Sequence, residues 1–275
     1  MREVISGIKH PAFRDAIALT RAGGRSAVGR YLAEDADLVR QALAAPGDNV
    51  LAVFAAPEEA ARLEDDCQAK GVPLYIVGGG LITKLIGTPY PTASSAVAVI
   101  RQKIVTADAL IGGPSPLVLC GERIQDPRNV GVLIRTAEAA GCSGILLSAD
   151  SAEPFSRQAV RSTTGSILRL PISIVDDLPA TLARFRAQGI PVIATSARAR
   201  DLAYDAPLAA RPLVLVVGNE SVGITDAARD AASSFVRLPM AAAGASSLNV
   251  TVAAGILVYE AIRQRLAESG FGPVA

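Results

Sequence analysis

The sequence predicts an α/β protein built on largely parallel sheets, on three observations. Short apolar runs alternate with longer helix-like segments along most of the chain, the order that places helices over a parallel sheet. In the second half the runs LVLC, GILLS and PLVLVVG are continuously apolar, as strands covered on both faces are. Hydrophobic residues make up 50% of the 275 positions and charged residues 19%, a composition that buries a core and excludes a disordered or collagen-like chain. This length holds one large domain or two ordinary ones.

From Pro11 to about Thr106, FRDAIALTRAG reads as helix, as does EDADLVRQALAA, where Leu38, Val39, Ala42 and Leu43 share a face over a helix from Ala33 to Ala44. NVLAVFAA reads as strand, PEEAARLEDDCQAKG as helix and VPLYIVGG as strand, giving a mostly parallel sheet. Gly78-Gly79-Gly80 lacks the GK[ST] ending of a phosphate loop and is read as a turn. TADALIGGPSP mixes small residues with Gly and Pro, which places a linker at 106–115 between an N-terminal domain 1–105 and a C-terminal domain 116–275. Beyond Pro116 the order is LVLC strand, VGVLIRTAEAAG helix, GILLS strand, SRQAVRSTTG helix, ILRLPISIV, DLPATLARFRAQG helix, strands PVIATS and PLVLVVG, and a final helix SLNVTVAAGILVYEAIRQRLAES.

Mean hydropathy is +0.35, yet the longest apolar stretch, around Val250 to Tyr259, falls short of the ~18 residues a membrane span needs. No secretory signal opens the chain, so a cytoplasmic protein is expected. Cys67, Cys120 and Cys142 have no metal-ligand or paired spacing, and buried thiols are the plain reading. Net charge is +1, but residues 1–30 carry six basic against two acidic residues, a basic arm that suits phosphates or simply a solvated face. Arg157, Arg161 and Arg169 form a second basic cluster with only Glu153 near them.

His10 is the single histidine, which argues against a Ser-His-Asp triad, a histidine zinc site and a histidine base. GxSxG, GxGxxG and GxxxxGK[ST] fingerprints are missing. Three polar loops remain at strand ends: GERIQDPRNVGVLIRTA with Asn129 and Arg135, LVLVVGNESVGIT with Gly218 and Glu220, and RLPMAAAGASSLNVTVAAG with Ser247-Leu248-Asn249. Asn129 and Asn249 can equally cap helices, and Glu220 can belong to a structural turn. Arg135 lies among Leu133, Ile134 and Ala137, so a buried or half-buried guanidinium in need of an anion is expected.

In order and spacing these loops resemble the three signature motifs of the SpoU (TrmH-type) branch of the SPOUT RNA methyltransferases. Asp126-Pro127-Arg128-Asn129 through Gly131 to Arg135-Thr136-Ala137 is similar to motif one, Gly218 to Ile224 to motif two, and Leu238-Pro239-Met240 with Ser247 to Val250 to motif three. Arg161-Ser162-Thr163-Thr164-Gly165 resembles the family's Arg-x-Ser-x-Gly, with Thr163 in the serine place. Two departures are one extra residue in AAAGAS, which displaces Gly244, and a missing glycine near Asp201-Leu202. Residues 1–105 resemble, through the Gly29 to Leu43 stretch, a ribosomal-protein-like RNA-binding domain, and the layout is close to that of thiostrepton- and avilamycin-resistance 23S rRNA methyltransferases.

The resemblance implies a C-terminal domain with a deep trefoil knot, a homodimer through that domain, and methyl transfer from S-adenosylmethionine to a ribose 2′-hydroxyl of RNA, most simply ribosomal RNA. It implies Asn129, Arg135 and Glu220 as catalytic residues, and Thr195, Gly218, Leu238, Met240, Ser247 and Leu248 around the cofactor. Arg128, Arg161 and Asn249 are implied on the RNA, and no metal is expected. A tRNA methyltransferase of the same family and a non-catalytic RNA-binding protein are the alternatives, and a small-molecule methyltransferase or oxidoreductase is weakened by the missing glycine fingerprint.

Overall fold

The computed structural model describes residues 2–87, 94–241 and 247–269, so the displaced Gly244 and its extra loop residue lie outside the described residues. The first elements are β1 (Arg2–Ile5), α1 (Pro11–Ala18), α2 (Ala22–Val28), β2 (Arg30–Glu34), α3 (Ala36–Ala44), β3 (Val50–Ala55), α4 (Pro57–Ala69), β4 (Leu74–Val77), α5 (Gly79–Ile86) and β5 (Ala96–Arg101). Then come α6 (Ala107–Ile111), β6 (Leu117–Gly121), α7 (Pro127–Ala139), β7 (Gly144–Ser148), α8 (Arg157–Thr163), a 3-10 turn (Ser166–Leu168) and β8 (Ile172–Val175). The chain continues through α9 (Leu178–Ala187), β9 (Val192–Thr195), β10 (Asp201–Leu202), β11 (Leu213–Val217), α10 (Asp226–Ala231), β12 (Ser234–Arg237) and α11 (Val250–Glu268). Among the described residues no helix is long and apolar enough to cross a membrane.

Two compact units divide the chain: residues 1–103 with 153–169, and residues 104–152 with 170–275. The first contains a five-stranded sheet ordered β1-β4-β3-β5-β2. β1, β4, β3 and β2 point the same way and β5 runs antiparallel to its neighbours β3 and β2, so the expected mostly parallel sheet contains one reversed strand that the sequence did not announce. The reason is visible in β5, where Ala96 to Ile100 are all buried: a strand covered on both faces reads as a continuous apolar run whichever way it points. α3 buries Leu38, Val39, Ala42 and Leu43 as expected, but starts at Ala36 because Asp35 caps it and residues 33–34 end β2. Gly79 and Gly80 open α5 with Gly78 as its N-cap, so the glycine run starts a helix instead of forming only a turn. Phe13, Phe54, Ile82, Leu85 and Val97 form the core of this unit.

Residues 153–169 pack with the first unit, so the expected C-terminal span 116–275 is interrupted. Phe155 lies against buried Tyr31, ring centroids 5.2 Å apart. Arg25, 7% exposed, donates from Nε and Nη2 to the two carboxylate oxygens of Glu153 at 2.7 and 2.5 Å. Arg157 and Arg161 share buried Glu34 at 2.9 and 3.1 Å. The basic first 30 residues are thus not a free arm: they form β1, α1 and α2, and Arg2 pairs with Glu64 at 2.7 Å.

The second unit is a seven-stranded sheet, β10-β12-β9-β11-β6-β7-β8, parallel throughout. The expected linker 106–115 instead contains α6, whose Ala107 and Leu110 join the core of Val118, Leu146, Phe185 and Val214. At the opposite end of the chain Arg265, 8% exposed, donates to the carbonyls of Ser115, Pro116 and Ala210 at 3.1, 2.8 and 2.5 Å. It thereby ties α11 to the chain entering β6 and β11.

If residues 153–169 belong to the first unit's stability, Glu153→Gln leaves the buried Arg25 guanidinium without its counter-charge. Urea unfolding should show a loss of about 3 kcal/mol, the usual consequence of breaking a buried pair from one side. A change below about 0.5 kcal/mol, typical of an exposed pair, would contradict this.

Candidate active site

In a parallel sheet the loops that follow the strands emerge on one side, where open α/β sheets place their ligands. Here the loops after β9, β11 and β12 and the start of α11 enclose a cavity of about 680 Å³, within the range of small-molecule sites. Thr195, Gly218, Leu238, Met240, Ser247 and Leu248, six residues separated by up to 53 positions, all line it, together with Glu220.

The loop after β11 is closed on itself. Asn219 and Gly223 exchange two backbone hydrogen bonds of 3.1 and 3.0 Å, with Gly223 at φ 74°. A Cβ on Gly218 would stand 2.4 Å from the Gly223 carbonyl carbon, so only glycine fits there. Asn219 Oδ1 accepts from the Ser221 and Val222 amides at 2.9 and 3.1 Å, and its Nδ2 donates to the Arg123 carbonyl at 2.9 Å. Glu122, 3% exposed, accepts from the Thr225 amide at 2.9 Å and hydroxyl at 2.6 Å. The same hydroxyl accepts from Ala228 N at 3.2 Å and caps α10. The loop after β6 therefore holds the loop after β11 at both of its ends.

The polar residues of the three loops meet in one chain of hydrogen bonds. Asn129 Nδ2 donates to Glu220 Oε1 at 2.8 Å, and Gln125 N donates to Glu220 Oε2 at 3.4 Å. Asn249 Nδ2 donates to Asn129 Oδ1 at 3.4 Å. Asn129 is not the cap of α7: Asp126 takes that place, accepting from Arg128 N at 2.8 Å. Its carboxyl lies below the usual carboxylate range because the Arg128 side chain bonds it as well. Asn249 does cap α11, accepting from Thr251 N at 2.8 Å, so its side chain serves the helix and the network together.

Three expected residues stand differently. Arg135 is exposed, not buried in an apolar helix. Its apolar sequence neighbours point elsewhere, since adjacent residues on a helix do not share a face. Six residues after Asn129 it is turned about 240° around the axis, onto the outer face with Val132, Thr136 and Ala139. Arg128 is exposed at the start of α7 and forked onto Asp126. Arg161 belongs to the first compact unit. Sequence reasoning missed Glu122 and Asn219, which both lie within the polar loops it singled out, and Arg198 and Arg237, which line the cavity.

Thr225→Val removes both the cap of α10 and one donor to buried Glu122. Stability should fall by about 1–3 kcal/mol, and hydrogen exchange should accelerate in residues 218–231 while β7 and β8 stay protected. Uniform acceleration across the sheet would show that the tie does not act locally.

The model of the SpoU rRNA Methylase family matches residues 116–259. An uncharacterised tRNA/rRNA methyltransferase of Synechocystis sp. is 33% identical over 270 residues, covering 96% of this chain and 95% of that one. The 23S rRNA (guanosine(2553)-2′-O)-methyltransferase RlmP of Bacillus subtilis is 29% identical, covering 93% and 97%. Among solved structures, the AdoMet-bound rRNA methyltransferase of Sinorhizobium meliloti superposes with a TM-score of 0.84 at 27% identity, covering 95% of this chain and 98% of that one. With the family match extending over all three polar loops, two of which line the cavity, the chain belongs to the SpoU rRNA methylase family.

Proposed function

We propose that this protein transfers a methyl group from S-adenosylmethionine to a ribose 2′-hydroxyl of ribosomal RNA, acting as a homodimer. The observation that supports it most is the meeting of Asn129, Glu220 and Asn249 beside a cavity lined by the six expected cofactor residues. The cavity fits a nucleoside with a thioether arm: Leu238, Met240 and Leu248 provide apolar wall, and at Gly218, where no side chain fits, the wall is backbone.

S-adenosylmethionine supplies the electrophilic methyl group. Glu220 holds the Asn129 amide, which orients the ribose. Arg135 stabilises the alkoxide that develops on the 2′-oxygen; a guanidinium gives up its proton only above pH ~12, so it acts by charge and an RNA phosphate takes the proton. Ser247 and Asn249 position the amino-acid end or the RNA. Arg128 contacts RNA phosphate, as does Arg161, which with Arg157 surrounds the single carboxylate of Glu34 and leaves positive charge over.

Two helical faces support the homodimer. Val132, Arg135, Thr136 and Ala139 on α7, and Val252, Gly255, Ile256 and Tyr259 on α11, follow i, i+3, i+4, i+7 spacing on packed helices, with Val252 and Tyr259 about half exposed. A second copy covering this face brings Arg135 to the interface, and the knot expected around the loops after β11 and β12 belongs to the same reading.

Calorimetry should show S-adenosylmethionine binding in the presence of a chelator, and labelled methyl should appear as 2′-O-methyl nucleoside in digested ribosomal RNA. Arg135→Ala should bind cofactor normally and lose about 10²–10³-fold in transfer, with Arg135→Lys retaining part of the rate if charge suffices. Near-normal turnover by Arg135→Ala would remove its assigned role. Light scattering should give a dimer for the native chain and a folded monomer for Val252→Asp with Tyr259→Asp; an unchanged mass would place the interface elsewhere.

A further inference from the structure

We infer that Arg237 binds the carboxylate at the amino-acid end of the cofactor; this rests on the cofactor reading above and assigns that site its anion-recognising side chain. Arg237 is the last residue of β12, immediately before Leu238, and lines the cavity half-buried. Its backbone is held rigidly: β12 lies between β10 and β9, Leu202 is its strand partner, and its carbonyl accepts from Ala203 N at 2.9 Å.

The guanidinium has five donors, yet among the described residues Arg237 forms no ion pair and no side-chain hydrogen bond. Every Asp and Glu of the chain lies in the described stretches, since residues 1, 88–93, 242–246 and 270–275 contain none. No acidic side chain is therefore left to neutralise it. The rest of the cavity wall does not change this balance. Arg229 has Asp226 at 3.9 Å and stands 5.3 Å over the Phe235 ring. Arg198 is exposed and also without an acidic partner among the described residues. Glu220, the one carboxylate lining the cavity, is already engaged by Asn129 and Gln125.

A half-buried cation without an acidic partner is costly, and the cost is recovered when a ligand brings the anion. S-adenosylmethionine has one anionic group, its carboxylate; its ammonium and sulfonium are cations. An arginine fork on a fixed strand end recognises that group bidentately and leaves the exposed cations to the RNA.

The test compares two ligands that differ only in the carboxylate, S-adenosylhomocysteine and its decarboxylated aminopropyl analogue, by calorimetry on the full chain. The native protein should prefer S-adenosylhomocysteine by about 10- to 100-fold, as a charge-assisted hydrogen-bonded pair gives. Arg237→Met should cut that preference to within about threefold while binding the decarboxylated analogue as the native protein does. Arg237→Lys, which keeps the charge without the fork, should fall between them and serves if the Met variant does not fold. An undiminished preference in the variants, or none in the native protein, overturns the inference and leaves the cofactor assignment standing. A variant altered only in its Michaelis constant for RNA and its salt dependence also overturns it, in favour of a phosphate contact. Failure of the native protein to bind either ligand removes the cofactor reading itself, and the inference with it.

Discussion

The arrangement of the site depends on one buried carboxylate, that of Glu122. β6 and β11 are neighbours in register, Gly121 beside Val217, so their following loops leave the sheet at the same height. Without a tie these loops would be free to diverge. Glu122 prevents it by accepting two hydrogen bonds from Thr225, and Asn219 adds a bond back to the Arg123 carbonyl. A carboxylate this buried is costly unless its oxygens are satisfied, and in the closed form of the second loop both oxygens of Glu122 have a donor from Thr225. The pairing of Glu220 with Asn129 follows, because it requires both loops to be in place.

Much of this was legible because the sheet of the second unit is fully covered. Strands β6, β7 and β11 are buried at every position, and such strands announce themselves as unbroken apolar runs with polar residues at their ends. The polar loops were therefore visible as loops, and their resemblance to the family's motifs implied the six residues that line the cavity. What spacing could not convey was orientation. Arg135 sits between apolar residues in the sequence and yet faces outward, since 100° of rotation per residue separates neighbours on a helix. Asp126 and Asn129 are both plausible caps; only the φ and ψ angles of Asp126 settle which begins α7. Glu122 read as one more polar loop residue, because nothing local signals that its partner is 103 positions away.

Charge tells a similar story. The excess of basic residues near the N-terminus suggested an exposed arm, and part of it is instead consumed inside the fold: Arg25 by Glu153, Arg2 by Glu64. Where two guanidiniums share one carboxylate, as at Glu34, a positive remainder persists on an ordered surface. Net charge near zero thus coexists with local excesses of positive charge, and these are set by which pairs are completed.

The excursion of residues 153–169 bears on how such a protein can be assembled from parts. The chain leaves its seven-stranded unit after Ala152, contributes α8 to the other unit, and returns at Leu170. Neither half is a contiguous cassette that recombination could exchange by a single crossover at residues 104–115. A swapped N-terminal segment would have to accept Phe155, Ala159 and Val160 from its new companion, or leave those apolar side chains without a cover. An exchange of either unit must therefore carry the 153–169 segment, or a cover for its apolar side chains, with it.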